Sequence, residues 1–324
     1  MFISGGTMLK KVVSVSLGSS KRNHLAQVEL LGEQFEISRV GTDGDMYKAK
    51  SILRELDGKV DAIGLGGIDV SLYAGKTRYV LQDGLRLLET VKKTPVVDGS
   101  GLKNTLERQA VIFIKEQGLI KQNTRVLMVS AMDRFGMAEA FSQSGCQLTI
   151  GDLIFALGIP IPIYNLDKLH SLAEKLMPII SRLPFKLFYP TGQRQEKQHN
   201  STKYSKYYDE AQIIAGDYHF IYKYLPERLT GQVILTNTTT QQDVEELMER
   251  GAGALVTTTP SIQGRTFGTN VMEAVFLALL NKTWEEVTVD DYTRLLKELD
   301  WQPTVTWLKK EPKTSHPPSA SIRP

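Results

Sequence analysis

The stretch VVDGSGLKNTLER, Val96–Arg108, gathers Asp98, Ser100, Lys103 and Asn104 around a Gly-rich turn that leads into a helical pattern. A lysine on the first turn of a helix sits at the positive end of the helix dipole, an unusual place for it. Held close to an acid and a bound oxyanion, it can give or take a proton. Lys103 with Asp98 is therefore a candidate acid–base pair, and a solvated lysine is the alternative. AGDYHF offers a second pair, with Asp217 and His219 directly after an apolar run. These two suit a general acid–base and its orienting group, or a structural histidine. In VTTTPSIQGRTFGTNVMEA, Thr258 and Thr259 end a strand, and Arg265 and Thr269 follow on the way into a helix. Backbone N–H groups, the helix dipole and one arginine together make an anion site there.

RVLMVSAMDRFGMAEAFSQSGCQLTIGD, Arg125–Asp152, reads strand, turn, helix, strand, acid. That is the outline of a dinucleotide-binding unit, whose turn carries G-x-G-x-x-G. Laid over that turn, the three glycine positions hold Ala131, Asp133 and Gly136. The first is small, and the third keeps the glycine that lets helix and strand pack closely. Asp133 puts a carboxylate where a pyrophosphate would lie. It can cap the helix, face a ribose or substrate hydroxyl, or mark a turn that binds no dinucleotide. Arg134 beside it can neutralise a phosphate. Asp152, about 20 residues on, stands where an acid takes the ribose hydroxyls, favouring NAD over NADP, or else it caps a helix through LIFALG. GLGG adds Gly64, Gly66 and Gly67 as a place of close backbone approach, or a simple turn.

The elements that must position these residues alternate. KVVSVSLG, VDAIGLGG and TPVVDG read as strands, and MYKAKSILRELDG and LKNTLERQAVIFIKEQG as helices ended by Gly58 and Gly118. QVELLGEQFEISRVG and IDVSLYAGKTRYVL suggest hairpins. From Arg125 onward, RVLMVS, QLTIGD, AQIIAGD, QVILTNT and GALVTTTP are strand-like and alternate with five helical patterns. Thr240 with Asp243 reads as the cap of one of these helices. The expected fold is α/β in two domains, 1–122 and 123–308, the second a Rossmann-like doubly wound parallel sheet with a crevice between them. The polar insert at 191–210 reads as a surface loop or a lid, and the Pro/Ser-rich tail at 309–324 as disordered.

Composition narrows the function classes. The 324 residues carry 41% apolar and 23% charged residues, a globular balance, and a net charge of +3 gives no case for nucleic acid. One cysteine excludes an intrachain disulfide and a Cys-type zinc site, and the five histidines show no metal-ligand spacing. No apolar run reaches the roughly 18–20 residues that span a bilayer. A cytoplasmic protein with a small-molecule substrate is expected; translation can begin at Met1 or Met8, and the oligomeric state is open.

Ala131, Gly136 and Ala138 in the turn, with Thr258, Thr259, Pro260 and Gly264 later, resemble the cofactor domain of quinate/shikimate-type dehydrogenases. From about Lys11 to Lys282 the chain also looks like a bacterial group labelled quinate dehydrogenase-like. The resemblance implies NAD or NADP, with NAD favoured, and a small hydroxylated acid as substrate. The family's Ser-x-Ser and its Asn-Val-Thr-x-Pro-x-Lys segment have no match as such; SVSLGSS is a loose echo of the first, and Lys103 with Asp98 would replace the second. Two alternatives stay open: a transferase or hydrolase of a phosphorylated or nucleotide-sugar ligand, and a non-catalytic ligand-binding protein on the same fold.

Overall fold

The computed structural model describes residues 9–74, 77–184, 201–259, 261–262 and 265–308. The first part runs β1 (Lys10–Ser16), β2 (His24–Leu30), β3 (Glu33–Gly41), α1 (Met46–Leu56), β4 (Ala62–Gly66), β5 (Ser71–Ala74), β6 (Thr77–Val80), α2 (Gln82–Leu88), β7 (Val96–Val97) and α3 (Ser100–Glu116). Then come β8 (Arg125–Met128), α4 (Phe135–Gln143), β9 (Gln147–Ile150), α5 (Asp152–Phe155), α6 (Leu166–Ile180), α7 (Ser205–Glu210), β10 (Ile213–Ala215) and α8 (Tyr218–Lys223). The last part is β11 (Val233–Thr236), α9 (Gln241–Arg250), β12 (Ala254–Thr257), β13 (Ser261–Ile262), β14 (Arg265–Thr266), α10 (Thr269–Leu280), α11 (Val289–Glu298) and β15 (Thr304–Trp307).

Two sheets result, in an α/β architecture. The first has the order β2-β3-β1-β4-β7, with β3, β1, β4 and β7 parallel and β2 antiparallel to β3. The second has the order β15-β12-β11-β10-β8-β9, parallel apart from the antiparallel edge strand β15. Its parallel strands read 2-1-3-4-5 in order of appearance, a doubly wound order with its switch point between β8 and β10. In the first sheet the parallel order reverses between β1 and β4.

Helices cover both faces of each sheet, which is why the central strands are apolar throughout. Ala49 and Leu53 of α1 and Leu87 of α2 pack on one face of the first sheet. Leu102 and Leu106 of α3, Val271 to Phe276 of α10, and Tyr292, Leu295 and Leu296 of α11 pack on the other. In the second sheet, the far half of α3 (Ala110, Val111, Ile114) joins α4 and α6 on one face. Helices α5, α7, α8 and α9 cover the opposite face.

The chain therefore crosses between sheets three times, the last as β15 rejoins the second sheet beside β12. The long helix α3 serves both cores, and after β12 the chain returns to lay α10 and α11 on the first sheet. A division at residue 122 assigns these two helices to the second unit, whereas their packing ties them to the first. The glycines make the return possible. A Cβ on Gly64 would stand 2.5 Å from the Asn270 carbonyl oxygen, and one on Gly99, at φ +92, would stand 2.7 Å from the Asn270 nitrogen. Gly64 thus admits the start of α10 rather than a ligand.

Part of the polar insert is also built into the core. Tyr204, Tyr207 and Tyr208 are buried, and the Tyr208 hydroxyl donates to the Ile221 carbonyl at 3.0 Å. Residues 201–210 are therefore neither a surface loop nor a lid, because the ring faces offset the polarity of their neighbours. Residues 191–200 and the tail at 309–324 lie outside the described residues. Among the described residues no helix is long and apolar enough to cross a membrane.

Candidate functional site

The carboxyl ends of both sheets open onto one cleft of about 870 Å³, where ligands of doubly wound folds bind. Ser16 and Gly18 follow β1, Asp69 follows β4, and Asp98 and Gly99 follow β7. From the second sheet come Asp133 and Arg134 after β8, Asp217 and His219 after β10, and Asn237 to Thr240 after β11. Gly268 to Val271, at the start of α10, close the wall between them. Both switch points face this space.

Lys103 does line the cleft, but the carboxylate beside it is Asp69 rather than Asp98. Its Nζ lies 3.6 Å from Asp69 Oδ1, and both side chains are largely buried. Burial opposes the Lys103 charge, yet Asp69 and Asp133 outweigh it and hold the ammonium above its ordinary value. Burial pushes Asp69 up to about 6, against the pull of Lys103. Asp98 is a backbone clamp. It accepts from Val70 N at 2.6 Å, Ser71 N at 3.1 Å and Ser100 N at 2.9 Å, and so fixes the β4–β5 connection against the start of α3.

Asp217 caps α8, accepting the His219 backbone N–H at 2.9 Å, and it also takes the Arg134 guanidinium at 3.1 Å. His219 faces the cleft; burial lowers its pKa, Asp217 opposes that, and Arg22 of the first sheet adds to the lowering.

The turn after β8 departs from a pyrophosphate cradle in three ways. The Ala131 and Met132 N–H groups donate to Asp152 at 2.9 and 2.7 Å, so the acid occupies the donors that an incoming phosphate would need. Asp152 thus neither waits for a ribose nor serves as a simple cap of α5, and burial pushes it up to about 7 despite those bonds. Arg134 is 3% exposed and held by Glu107, Asp217 and Asp133, so it cannot turn to a phosphate. Gly136 admits α3 instead of a cofactor, since a Cβ there would run into Asn104. The residues of this turn do not fit a dinucleotide.

Thr258 and Thr259 are buried against the neighbouring strand end, where the Thr259 hydroxyl donates to the Asn237 carbonyl at 2.8 Å. Thr257, one residue earlier, reaches the cleft, as does Thr269. Pro260, Gly264 and the Arg265 side chain lie outside the described residues. Sequence reasoning passed over Arg39 and Asp69 and gave Ser14 and Ser16 only within the loose echo SVSLGSS; all four line the cleft, as does Asn270 at the start of α10. A signal for the serines was present. Residues i and i+2 of a strand share a face, and two polar side chains two apart in a valine-rich buried strand mark a wall that is not apolar.

Residues 101–308 match the family described as Domain of unknown function (DUF8754). The chain belongs to this family. Residues 11–98 match a second, Domain of unknown function (DUF8753), so the two matches meet at the turn that starts α3. No curated protein matches. Among solved structures, the chain is similar to a galactofuranose binding protein, at 12% identity and a TM-score of 0.37, over 90% of this chain and 98% of that one. It is similar to the arabinose binding protein AraP from Geobacillus stearothermophilus, at 11% identity and a TM-score of 0.41, over 92% and 97%. It is also similar to an NAD-dependent malic enzyme from Thermotoga maritima, at 14% identity and a TM-score of 0.32, over 76% and 65%.

Proposed function

We propose that the cleft binds a small hydroxylated acid and that Lys103, paired with Asp69, exchanges a proton with one of its hydroxyls. The observation that carries this reading is the Lys103–Asp69 contact at 3.6 Å on the wall of the cleft. An ammonium held by a carboxylate can donate a proton to an oxyanion that develops on the ligand. Ser14, Asn237, Thr238 and Thr257 supply hydrogen-bonding groups for a polyhydroxylated body, and the volume suits a small polar ligand. Asp98, Asp217 and Arg134 act as positioning residues in this scheme: they fix the loops around the pair.

The resemblance to quinate/shikimate-type dehydrogenases implies an oxidoreductase form of this site with NAD or NADP, but the residues after β8 do not fit a dinucleotide, so the proposal routes no step through one. The filled turn after β8 favours a second reading, in which the cleft holds its ligand without a nicotinamide. Calorimetric titration with quinate, shikimate, malate and gluconate, each with and without NADH or NADPH, separates them. Saturable binding of an acid is the expected result. Added affinity or turnover with a dinucleotide selects the oxidoreductase form, indifference to both dinucleotides selects the second, and failure of every acid to bind overturns the proposal.

A further inference from the structure

We infer that a water held in the small cavity between Lys103 and Glu107 carries protons between them, so that Glu107 replaces the proton that Lys103 gives to the ligand. This rests on the reading of Lys103 as a proton donor in the cleft and adds the route by which that donor is reloaded.

The route begins with a spacing. Ser100, Lys103, Asn104 and Glu107 stand at i, i+3, i+4 and i+7 and so share one face of α3. Ser100 and Glu107 are 3% and 1% exposed, and polar groups buried this deeply need partners. The turn after β8 lies against this face: Arg134 takes Glu107 Oε1, and Gly136 packs on the Asn104 side chain. Between them lies a cavity of about 20 Å³, whose walls include Ser100, Lys103, Glu107, Asp133 and Arg134.

Three oxygens of these walls are buried without a hydrogen-bond partner among the described residues: Ser100 Oγ, Glu107 Oε2 and Asp133 Oδ1. Roughly 10–15 Å³ is enough for one water, provided that it meets two to four polar groups. A water here donates to the two carboxylates and accepts from the Lys103 ammonium or the Ser100 hydroxyl. The charges of Lys103 and Arg134 on the same walls oppose a metal ion in that place.

Lys103 lines both this cavity and the cleft. Once its ammonium has given a proton to an oxyanion on the ligand, a neutral amine is left. The amine takes a proton from the water while the Glu107 carboxylic acid gives its own to that water. The products are an ammonium and a carboxylate, and the water is unchanged. Burial pushes Glu107 up to about 7 against the pull of Arg134 and Lys103, with Asp133 adding to the rise, so it both holds and releases a proton at neutral pH. Burial opposes the Lys103 charge, but Asp69 and Asp133 outweigh it and Glu107 adds to them, against Arg134. The transfer therefore runs toward the lysine.

A second hollow completes the route. Ser100 and Asn104 also line a space of about 300 Å³ with Arg78, Trp284 and Tyr292, none of which lines the cleft. The Arg78 guanidinium lies 4.0 Å over the Trp284 ring on its wall. Glu107 can thus regain its proton from this side while a ligand fills the cleft.

The test follows hydrogen exchange of the Lys103 ammonium with water, by NMR from pH 5 to pH 9, in ligand-free full-length protein labelled at lysine nitrogens and side-chain carboxyls. With Glu107 acting as base through the water, exchange should rise as its carboxyl titrates and level off above that point. Exchange that climbs with hydroxide throughout would overturn the route in wild type alone. Glu107→Gln should remove the step and slow exchange at pH 8 about 10²-fold, the low end for a positioned general base. Ser100→Val, which fills the cavity with methyl groups, should slow it likewise while Glu107 still titrates; thermal melts confirm that each variant is folded. A step that follows Asp69 and survives Glu107→Gln, or unchanged exchange in folded Ser100→Val, would overturn the route. Acid binding that depends on Lys103 beside such a failure would leave the proposed function standing. A step that follows Glu107, with no acid bound by the cleft, would do the opposite.

Discussion

Burial pushes Asp69 up to about 6 and Glu107, Asp152 and Glu273 up to about 7, so these carboxylates set how the folded chain responds to pH. Each binds its proton more tightly in the folded chain than in the unfolded one, where Asp and Glu titrate near 3.8 and 4.5. The sign follows from linkage: their contribution is fully present below the unfolded values and is lost as pH rises through about 7. Each can remove about 1.4 kcal/mol per pH unit across that window. Glu273 is the cleanest test, since it lies away from the cleft, accepting from the Tyr292 hydroxyl at 2.5 Å and from Leu102 N at 3.2 Å. Glu273→Gln should be more stable than wild type at pH 8, with the advantage shrinking toward pH 5, as read by thermal melts across that range. A constant difference at every pH would contradict the assignment. At this scale residue types and spacing were legible in the sequence, whereas their partners were not. Asp152 stands at the spacing of a ribose-binding acid, yet two N–H groups of the turn, close only once β8 and β9 pair, capture it. Arg134 was readable as a cation near an anion site, and Glu107, on a helix from the other half of the chain, takes it.

Elements were the most legible level, because they follow from local patterns. The hairpins of β2–β3 and β5–β6, the parallel strands from Arg125 onward and the Thr240–Asp243 capping box all formed where turn chemistry and periodicity placed them. Helix α11 and strand β15 went unread. Only Tyr292, Leu295 and Leu296 of the charged α11 are buried, and β15 is a short edge strand with exposed positions. The Thr288–Asp291 capping box was a signal that could have revealed α11. The start of α10 shapes the cleft, and Gly99 permits it. Gly99→Ala should cost about 1–3 kcal/mol, from the left-handed backbone and the contact with Asn270, and should weaken ligand binding by displacing α10. Denaturant melts and the acid titration check the two effects, and an alanine variant as stable as wild type would contradict the packing described.

The whole molecule is tied together by crossings between the sheets that no local pattern shows. An apolar helix states that it must be covered, and nothing in α10 states which sheet covers it. The packing makes a definite prediction. A fragment of residues 9–122 leaves the face of the first sheet against Val271, Val275, Phe276 and Leu295 open to water and should not fold alone, as judged by circular dichroism and amide dispersion in NMR. A folded, cooperative fragment would show that α10 and α11 are dispensable to that unit. The arrangement also explains why the cleft was only half legible. The sequence displays the strand ends that line it, and the facing of the two switch points depends on α3 and α10 joining the sheets.

The central claim is that Lys103 and Asp69 together act on a hydroxyl of the bound acid. The most direct measurement compares acid binding, by calorimetry at pH 7.5, in wild type, Lys103→Met, Asp69→Asn and the double variant, with melts confirming that each is folded. Each single change should weaken binding about 10- to 100-fold, the range for a lost hydrogen bond to a charged group, and the double variant should lose little more than either. Unchanged affinity in both folded single variants, or fully additive losses, would contradict the account.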